Sequence, residues 1–356
     1  MQSVGELKKR NFLDRTPFIA QNEIHSICIW GSFIDEADFT VVIPTYKRYE
    51  QLRTCLLGLL NQKTDRKFQI LIVDNCSENL AGSPILDFIR EVEDDRIIYF
   101  VNQENLGGAG NWNRGFWLSK TEWVSMIHDD DVVNENWARI MWELCCEYSD
   151  AKCISCRYQP LLNEFDTIQF MHKAINSRTA SEVTVESMLR EFKAPLLGAM
   201  IKRECYISLG GVVLDSTNFE DYILMAKMCY YGKVILANET LYGYGISLEN
   251  DSNRPGLWDD ILIGQFYLRK QLIGALRTGK PRATFWNVYD LISSVEKHNV
   301  HDGVLTGFKY TNVNSNYVYS SCDLRMAEKI MTPIIRVKIR LSSLLEMKHG
   351  NIIKLR

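Results

Sequence analysis

Two segments, FTVVIPTY (Phe39 to Tyr46) and FQILIVDN (Phe68 to Asn75), are β-branched and apolar almost throughout. A strand that reads as a continuous apolar run, without polar alternation, is buried on both faces. Between them, RYEQLRTCLLGLLNQK places Leu52, Cys55, Leu56, Leu59 and Leu60 at helical spacing, opposite a charged face. Strand, helix and strand in roughly 30 residues make a βαβ unit. The alternation continues, with a helix expected over Ser83 to Glu93, a strand over Arg96 to Val101, a helix over Asn111 to Ser119 and a strand over Glu122 to Ile127. The expected class is α/β, an open and mostly parallel sheet flanked by helices. Ligands of such sheets sit outside the carboxyl ends of the strands.

The residues that follow each strand are the unusual ones. Pro44, Thr45, Tyr46, Lys47 and Arg48 follow the first, and Asp74, Asn75 and Ser77 the second. The glycine-rich NLGGAGN (Asn105 to Asn111) follows the third, and Asp129, Asp130 and Asp131 follow the fourth. Each has a plain structural reading as a turn, since glycine, Asn and Asp favour turns and charge runs are usually solvated. Their sorting to one edge of the sheet argues for a ligand site. NLGGAGN opens a helix, and bare backbone N–H groups there can cradle phosphate. It is not G-x-G-x-x-G, so the dinucleotide fingerprint is absent. Three adjacent carboxylates repel one another, and their natural partner is a hard divalent cation. Mg²⁺ or Mn²⁺ takes one or two carboxylates and leaves its other positions to water and substrate phosphate.

Bulk properties narrow the partners. The 356 residues are 46% hydrophobic and 24% charged, with a net charge of −3. Nothing in that balance calls for nucleic acid. MQSVGELKKRNFLDR lacks the apolar core of a signal peptide, and no run approaches the roughly 18 apolar residues of a membrane span. A cytoplasmic protein with reduced thiols is expected. Cys145, Cys146, Cys153 and Cys156 have spacing that zinc could use, against the alternative of buried thiols packing as small apolar side chains.

Together these segments resemble the inverting family 2 glycosyltransferases, whose GT-A fold binds nucleotide-diphospho-sugars. The likeness runs from about Phe39 to Gly245. VVIPTYKR resembles that family's first strand and base-binding turn, and ILIVDNCSEN its VDN-x-S motif. ENLGGAGNWNRG is similar to the loop of its rhamnosyl- and galactosyltransferase-like branches, and HDDD stands in the place of its D-x-D metal motif. NFEDYILMAKMCYYGKVILANETLYGYG resembles its acceptor-side helix, which opens on an acid pair, here Glu220 and Asp221. LLGAMIKRECYISLGG resembles the segment that lines the acceptor pocket.

The resemblance implies Asp221 as the catalytic base with Glu220 in support; the plain alternative is a pair of acids that favours a helix N-terminus. It implies nucleotide contacts from Pro44, Thr45, Tyr46, Arg48, Asp74, Asn105, Gly107, Gly108, Asn111, Arg114 and Asp129. The metal, Mn²⁺ or Mg²⁺, falls to Asp130 with Asp129 as ribose or second contact if His128 takes the first D-x-D position. It falls to Asp131 if the motif is read as Asp129-x-Asp131. A histidine many relatives carry after the last core strand is missing from ISLENDSNRP. The implied reaction moves a sugar from a nucleotide sugar, a UDP-sugar in this reading, to a saccharide or lipid-linked saccharide in surface polysaccharide synthesis.

Two other functions stay open. A nucleotidyltransferase would carry its Gly-rich loop, with Arg and Lys, directly after the first strand, where this chain has PTYKR. A glycan- or nucleotide-binding protein without catalysis would not need Asp130 and Asp221.

The expected domains are an N-terminal extension (1–38), a GT-A domain (39–250) and a mainly helical C-terminal region (251–356). ICIWGSF (Ile27 to Phe33) would pack on the core or pair with another chain. The C-terminal helices would cover the acceptor side or form a homodimer contact. In the tail from Lys329, seven basic residues against Glu346 alternate with apolar ones, a pattern that suits either the inner face of an anionic membrane or a packed final helix.

Overall fold

The computed structural model describes residues 10–77, 83–190, 195–213, 219–246 and 257–276. The first half of the chain runs β1 (Ser26–Trp30), β2 (Phe39–Thr45), α1 (Tyr49–Leu60), β3 (Phe68–Asp74), α2 (Pro84–Val92), β4 (Ile97–Asn102), α3 (Gly107–Leu118) and β5 (Trp123–Met126). The second half adds β6 (Val132–Val133), α4 (Trp137–Glu147), β7 (Cys153–Leu161), α5 (Glu164–Met171), β8 (Ala180–Val183), α6 (Val185–Arg190), β9 (Met200–Lys202), α7 (Arg203–Ser208), α8 (Glu220–Tyr231), β10 (Val234–Gly245) and α9 (Leu257–Ala275). The strands form one sheet in the order β1-β4-β3-β2-β5-β9-β7-β10-β6, with β8 on β10.

The four parallel strands expected from the sequence lie side by side as β4, β3, β2 and β5. Every residue of β2 and β3 is buried, which is why both read as unbroken apolar runs. Alternation still divides them. Phe39, Val41 and Ile43 of β2, with Phe68, Ile70 and Ile72 of β3, join Leu52, Leu56 and Leu59 of α1 and Trp137, Met141 and Leu144 of α4 in one core. Phe39 and Phe68 pair across the strands with rings stacked at 5.1 Å. On the opposite face α3 lies directly on β2. A Cβ added to Gly115 would sit 2.2 Å from Val42 Cγ1, so only glycine permits that approach.

The segment before β2 is integral to the fold. β1 pairs antiparallel with β4 and becomes the sheet's edge, so ICIWGSF finds its partner within the chain. Residues 10–21 cross α3, α7 and α8: Arg114 donates to Gln21 O at 2.6 Å, Tyr231 OH to Leu13 O at 3.0 Å, and Phe12 meets Phe219 edge-on at 5.6 Å. Helix α3 starts earlier than expected, because the glycines of NLGGAGN form its first turn.

Cys145, Cys153 and Cys156 are buried free thiols and Cys146 is exposed. Among the described residues they form no metal-binding group, so the zinc alternative gives way to apolar packing for the three buried thiols. Two compact units divide the chain, Met1–Leu268 and Arg269–Arg356. The described part of the second is the end of α9, and the basic tail lies outside the described residues. Among the described residues no helix is long and apolar enough to cross a membrane.

Gly115→Ala should destabilise the fold by about 1–3 kcal/mol, the usual cost of overpacking. Urea denaturation measures it, and a wild-type midpoint would contradict the close contact of α3 with β2.

Candidate active site

The carboxyl edge of the sheet gathers most of the singled-out residues. The register of β2 with β3 sets Thr45 opposite Asp74, and β5 runs beside β2 so that its following turn reaches Thr45. That turn, His128 to Asp131, closes with Asp131 N donating to His128 O at 3.2 Å. It sends the three carboxylates in different directions. Asp129 Oδ2 accepts from Thr45 Oγ1 at 2.7 Å. Asp130 Oδ2 accepts from Arg48 Nη1 at 2.9 Å, and the same nitrogen lies 3.4 Å from Asp129 Oδ1. Asp131 Oδ1 accepts from Gly245 N at 2.8 Å, and its Oδ2 accepts from Tyr242 OH.

Burial governs the electrostatics. Asp129 is 5% exposed and Asp131 1%. Loss of solvent pushes Asp129 up to about 6, opposed by its bonds from Thr45 and Arg48. Asp131 is pushed up to about 8, first by burial and then by the neighbouring Asp130 charge. Burial also lowers the pKa of His128, leaving its imidazole neutral and able to ligate. The Asp130 side chain is the more open, at 15%, and borders a cavity of about 200 Å³ with Arg48, Gln51, Asn163, Thr167 and Gly245.

One group among the described residues has metal-ligand geometry: His128, Asp130 and Asp131, whose ligand atoms lie within 4.8 Å of one another. Two carboxylates and an imidazole suit a hard or borderline divalent ion. The residues present therefore fit Mn²⁺ or Mg²⁺. Asp130 and Asp131, the two carboxylates named for the metal from the sequence, both belong to this group; His128 joins them, and Asp129 bonds Thr45 and lies near Arg48.

The expected nucleotide contacts divide into two groups. Pro44 and Thr45 end β2, and Tyr46 is 42% exposed at the edge. Asn105 Oδ1 accepts from Asn75 Nδ2 and from Gly107 N. A Cβ at Gly107 or Gly108 would meet nothing within 4 Å, so these glycines leave the helix start open rather than serving packing. By contrast, Asp74, Asn111 and Arg114 face inward. Asp74 is 0% exposed; its Oδ1 accepts from Ser77 N at 2.6 Å and its Oδ2 from Tyr99 OH at 2.9 Å. In this structure Asp74 closes the turn that follows β3. Asn111 bonds Val73 O and accepts from Asn102, and Arg114 holds Gln21 O and Ser26 Oγ. Those two support the loop and the N-terminal segment from within.

The acid pair opens α8 as expected. Glu220 is bound by Arg10, at 3.2 and 3.4 Å. Burial pushes Asp221 up to about 6, resisted by backbone N–H groups of the helix start. Neither acid lines the cavity beside Asp130. Sequence reasoning missed Tyr242, Gly245 and Arg10. The first two belong to β10, whose pairing with β6 brings Tyr242 opposite Val133, just past the aspartates.

Comparison with known proteins places this geometry. Residues 40–207 match the model of the family described as Glycosyl transferase family 2. An uncharacterized glycosyltransferase of Haemophilus influenzae is 24% identical over 200 residues, 53% of this chain and 61% of that protein. The glycosyltransferase GlyG of Streptococcus pneumoniae is 24% identical over 220 residues, 58% of this chain and 69% of its own. The chain thus spans under two thirds of the Haemophilus relative. In fold, it is similar to S. aureus TarS 1-349 in complex with UDP-GlcNAc, with a TM-score of 0.54, 15% identity, and coverage of 79% of this chain and 76% of that one.

Tyr242→Phe removes one of the two donors that hold the buried Asp131. It should destabilise the protein by about 1–3 kcal/mol, the cost of an unsatisfied buried acceptor. An unchanged denaturation midpoint would show that Asp131 does not depend on Tyr242.

Proposed function

We propose, from the match of residues 40–207 to the model of glycosyl transferase family 2 and from the GT-A type α/β sheet, that this chain is a metal-dependent, inverting transferase of sugar from a nucleotide sugar to a glycan acceptor. The observation that carries the reading is the group of His128, Asp130 and Asp131 at the carboxyl edge of the sheet, beside Thr45 and Arg48. The donor is a UDP-sugar, a choice supported by the UDP-GlcNAc held by TarS on a similar fold. The acceptor is a saccharide or lipid-linked saccharide of a surface polysaccharide.

His128, Asp130 and Asp131 hold Mn²⁺ or Mg²⁺ in this reading. A bound divalent ion there supplies neutralisation of the negative charge that builds on the leaving diphosphate. Tyr46 and the turn closed by Asp74 frame the nucleobase, and the open start of α3 at Gly107 and Gly108 lets the nucleotide approach the backbone. Thr45 keeps Asp129 fixed beside the ribose. Asp221 takes the proton of the acceptor hydroxyl as that oxygen attacks the anomeric carbon from the face opposite the diphosphate. Glu220, anchored by Arg10, fixes the start of α8.

With its pKa near 6, Asp221 is ionised at pH 7 and still basic enough to accept a proton. The base works in its deprotonated form, so kcat should rise as pH climbs through about 6 and level off above it. Asp221→Asn should lower kcat by about 10²–10⁴-fold and leave donor KM nearly unchanged. The assay is transfer from a panel of nucleotide sugars with Mn²⁺, with product anomer read by NMR. Wild-type transfer by Asp221→Asn, with loss in Glu220→Gln, would exchange the two roles. Normal transfer by both variants would reduce the pair to a helix start.

A further inference from the structure

Arg48 shares its carboxylate with the proposed cation. Its Nη1 lies 2.9 Å from Asp130 Oδ2 and 3.4 Å from Asp129 Oδ1, while Asp130 also belongs to the group with metal-ligand geometry. A guanidinium and a divalent ion are both positive, and each is drawn to the same carboxylate. They cannot occupy it together without strong repulsion. The backbone of Arg48 is fixed, since its carbonyl accepts the first bond of α1 from Leu52 N at 3.0 Å. Its side chain is 33% exposed and borders the cavity beside Asp130. The head group thus sits on a long, partly exposed stem at the edge of that cavity, beyond a fixed backbone.

We infer that Arg48 is a tethered cation that holds Asp129 and Asp130 when no divalent ion is bound, and that moves onto the diphosphate when ion and nucleotide enter together. The inference rests on the metal-dependent reading above. Without a positive group, three adjacent carboxylates at the buried edge would repel one another; Arg48 offsets that repulsion in the metal-free chain. The same contact weakens the site for a metal ion arriving alone. A nucleoside diphosphate removes the competition, because its oxygens accept the fork of the guanidinium bidentately. Metal and nucleotide then bind cooperatively, and each raises the affinity of the other by the same factor. The arrangement keeps the site from filling with metal before the donor arrives. Arg48 is a positioning residue in this scheme.

Mn²⁺ binding by electron paramagnetic resonance, with and without saturating UDP, tests it on the full chain. Arg48→Gln should bind Mn²⁺ alone about tenfold tighter, as expected for removal of one nearby like charge. The factor by which UDP tightens Mn²⁺ binding should shrink by about tenfold at the same time. Arg48→Lys keeps the charge but loses the fork, so Mn²⁺ alone should bind about two- to threefold tighter. Mn²⁺ affinity unchanged or weakened in Arg48→Gln, or an undiminished effect of UDP, overturns the inference. If thermal melting shows Arg48→Gln unfolded, Arg48→Lys decides, and wild-type Mn²⁺ affinity in that variant overturns it. A wild-type chain whose Mn²⁺ affinity ignores UDP sinks the metal-dependent reading itself, an outcome distinct from failure of the arginine variants alone.

Discussion

Repulsion among Asp129, Asp130 and Asp131 is the constraint around which the edge of the sheet is built. A bend at His128 to Asp131 separates the carboxylates, and each is then met by a donor from a different element: Thr45 at the end of β2, Arg48 at the start of α1, and Tyr242 with Gly245 N at the end of β10. The turn thereby ties together segments far apart in sequence. The fit is close: a Cβ on Gly245 would lie 2.2 Å from Asp130 O, so the strand that supports Asp131 must end in glycine. The same bend that relieves the repulsion leaves Asp130 and Asp131 near His128, with candidate ligand atoms within 4.8 Å of one another.

Helix α8 has its own support. Arg10 pairs with Glu220, Phe12 packs on Phe219, and Lys227 in the middle of α8 donates to Leu209 O at 3.2 Å. Residues before the first core strand thus position the start of α8. Glu220 is engaged by Arg10, while the half-buried Asp221 has its pKa raised to about 6. Adjacent carboxylates that look equivalent in the sequence thus sit in different surroundings.

The parallel half of the sheet was legible because burial on both faces writes itself directly into composition. Phe39–Thr45 and Phe68–Asp74 contain little else than β-branched and aromatic residues, and the strands lie where those runs lie. The second half was less legible. β10 extends over twelve residues, Val234–Gly245, and pairs with β6, β7 and β8. Such pairings join residues between 51 and 111 positions apart, and no local periodicity encodes them. Tyr242 is the clearest case: its role comes from Asp131, 111 residues away. Asn111 and Arg114 show the reverse limit. Polar residues in a glycine-rich loop resemble ligand contacts, but the same donors can hold the loop's interior, and only three-dimensional placement distinguishes the two. Asp74 was open to both readings in the sequence; in the structure it is fully buried and bonded by Ser77 N and Tyr99 OH.

The central claim is that the aspartate turn organises a divalent ion for the diphosphate of a nucleotide donor. A crystal structure of the protein with UDP and Mn²⁺, recorded with Mn anomalous scattering, tests it most directly. The account predicts one anomalous peak within ligand distance of Asp130 and Asp131, shared with diphosphate oxygens, and the Arg48 guanidinium moved from Asp130 to the nucleotide. UDP bound at the sheet edge with no Mn²⁺ beside those carboxylates, and Arg48 still paired with Asp130, would contradict it.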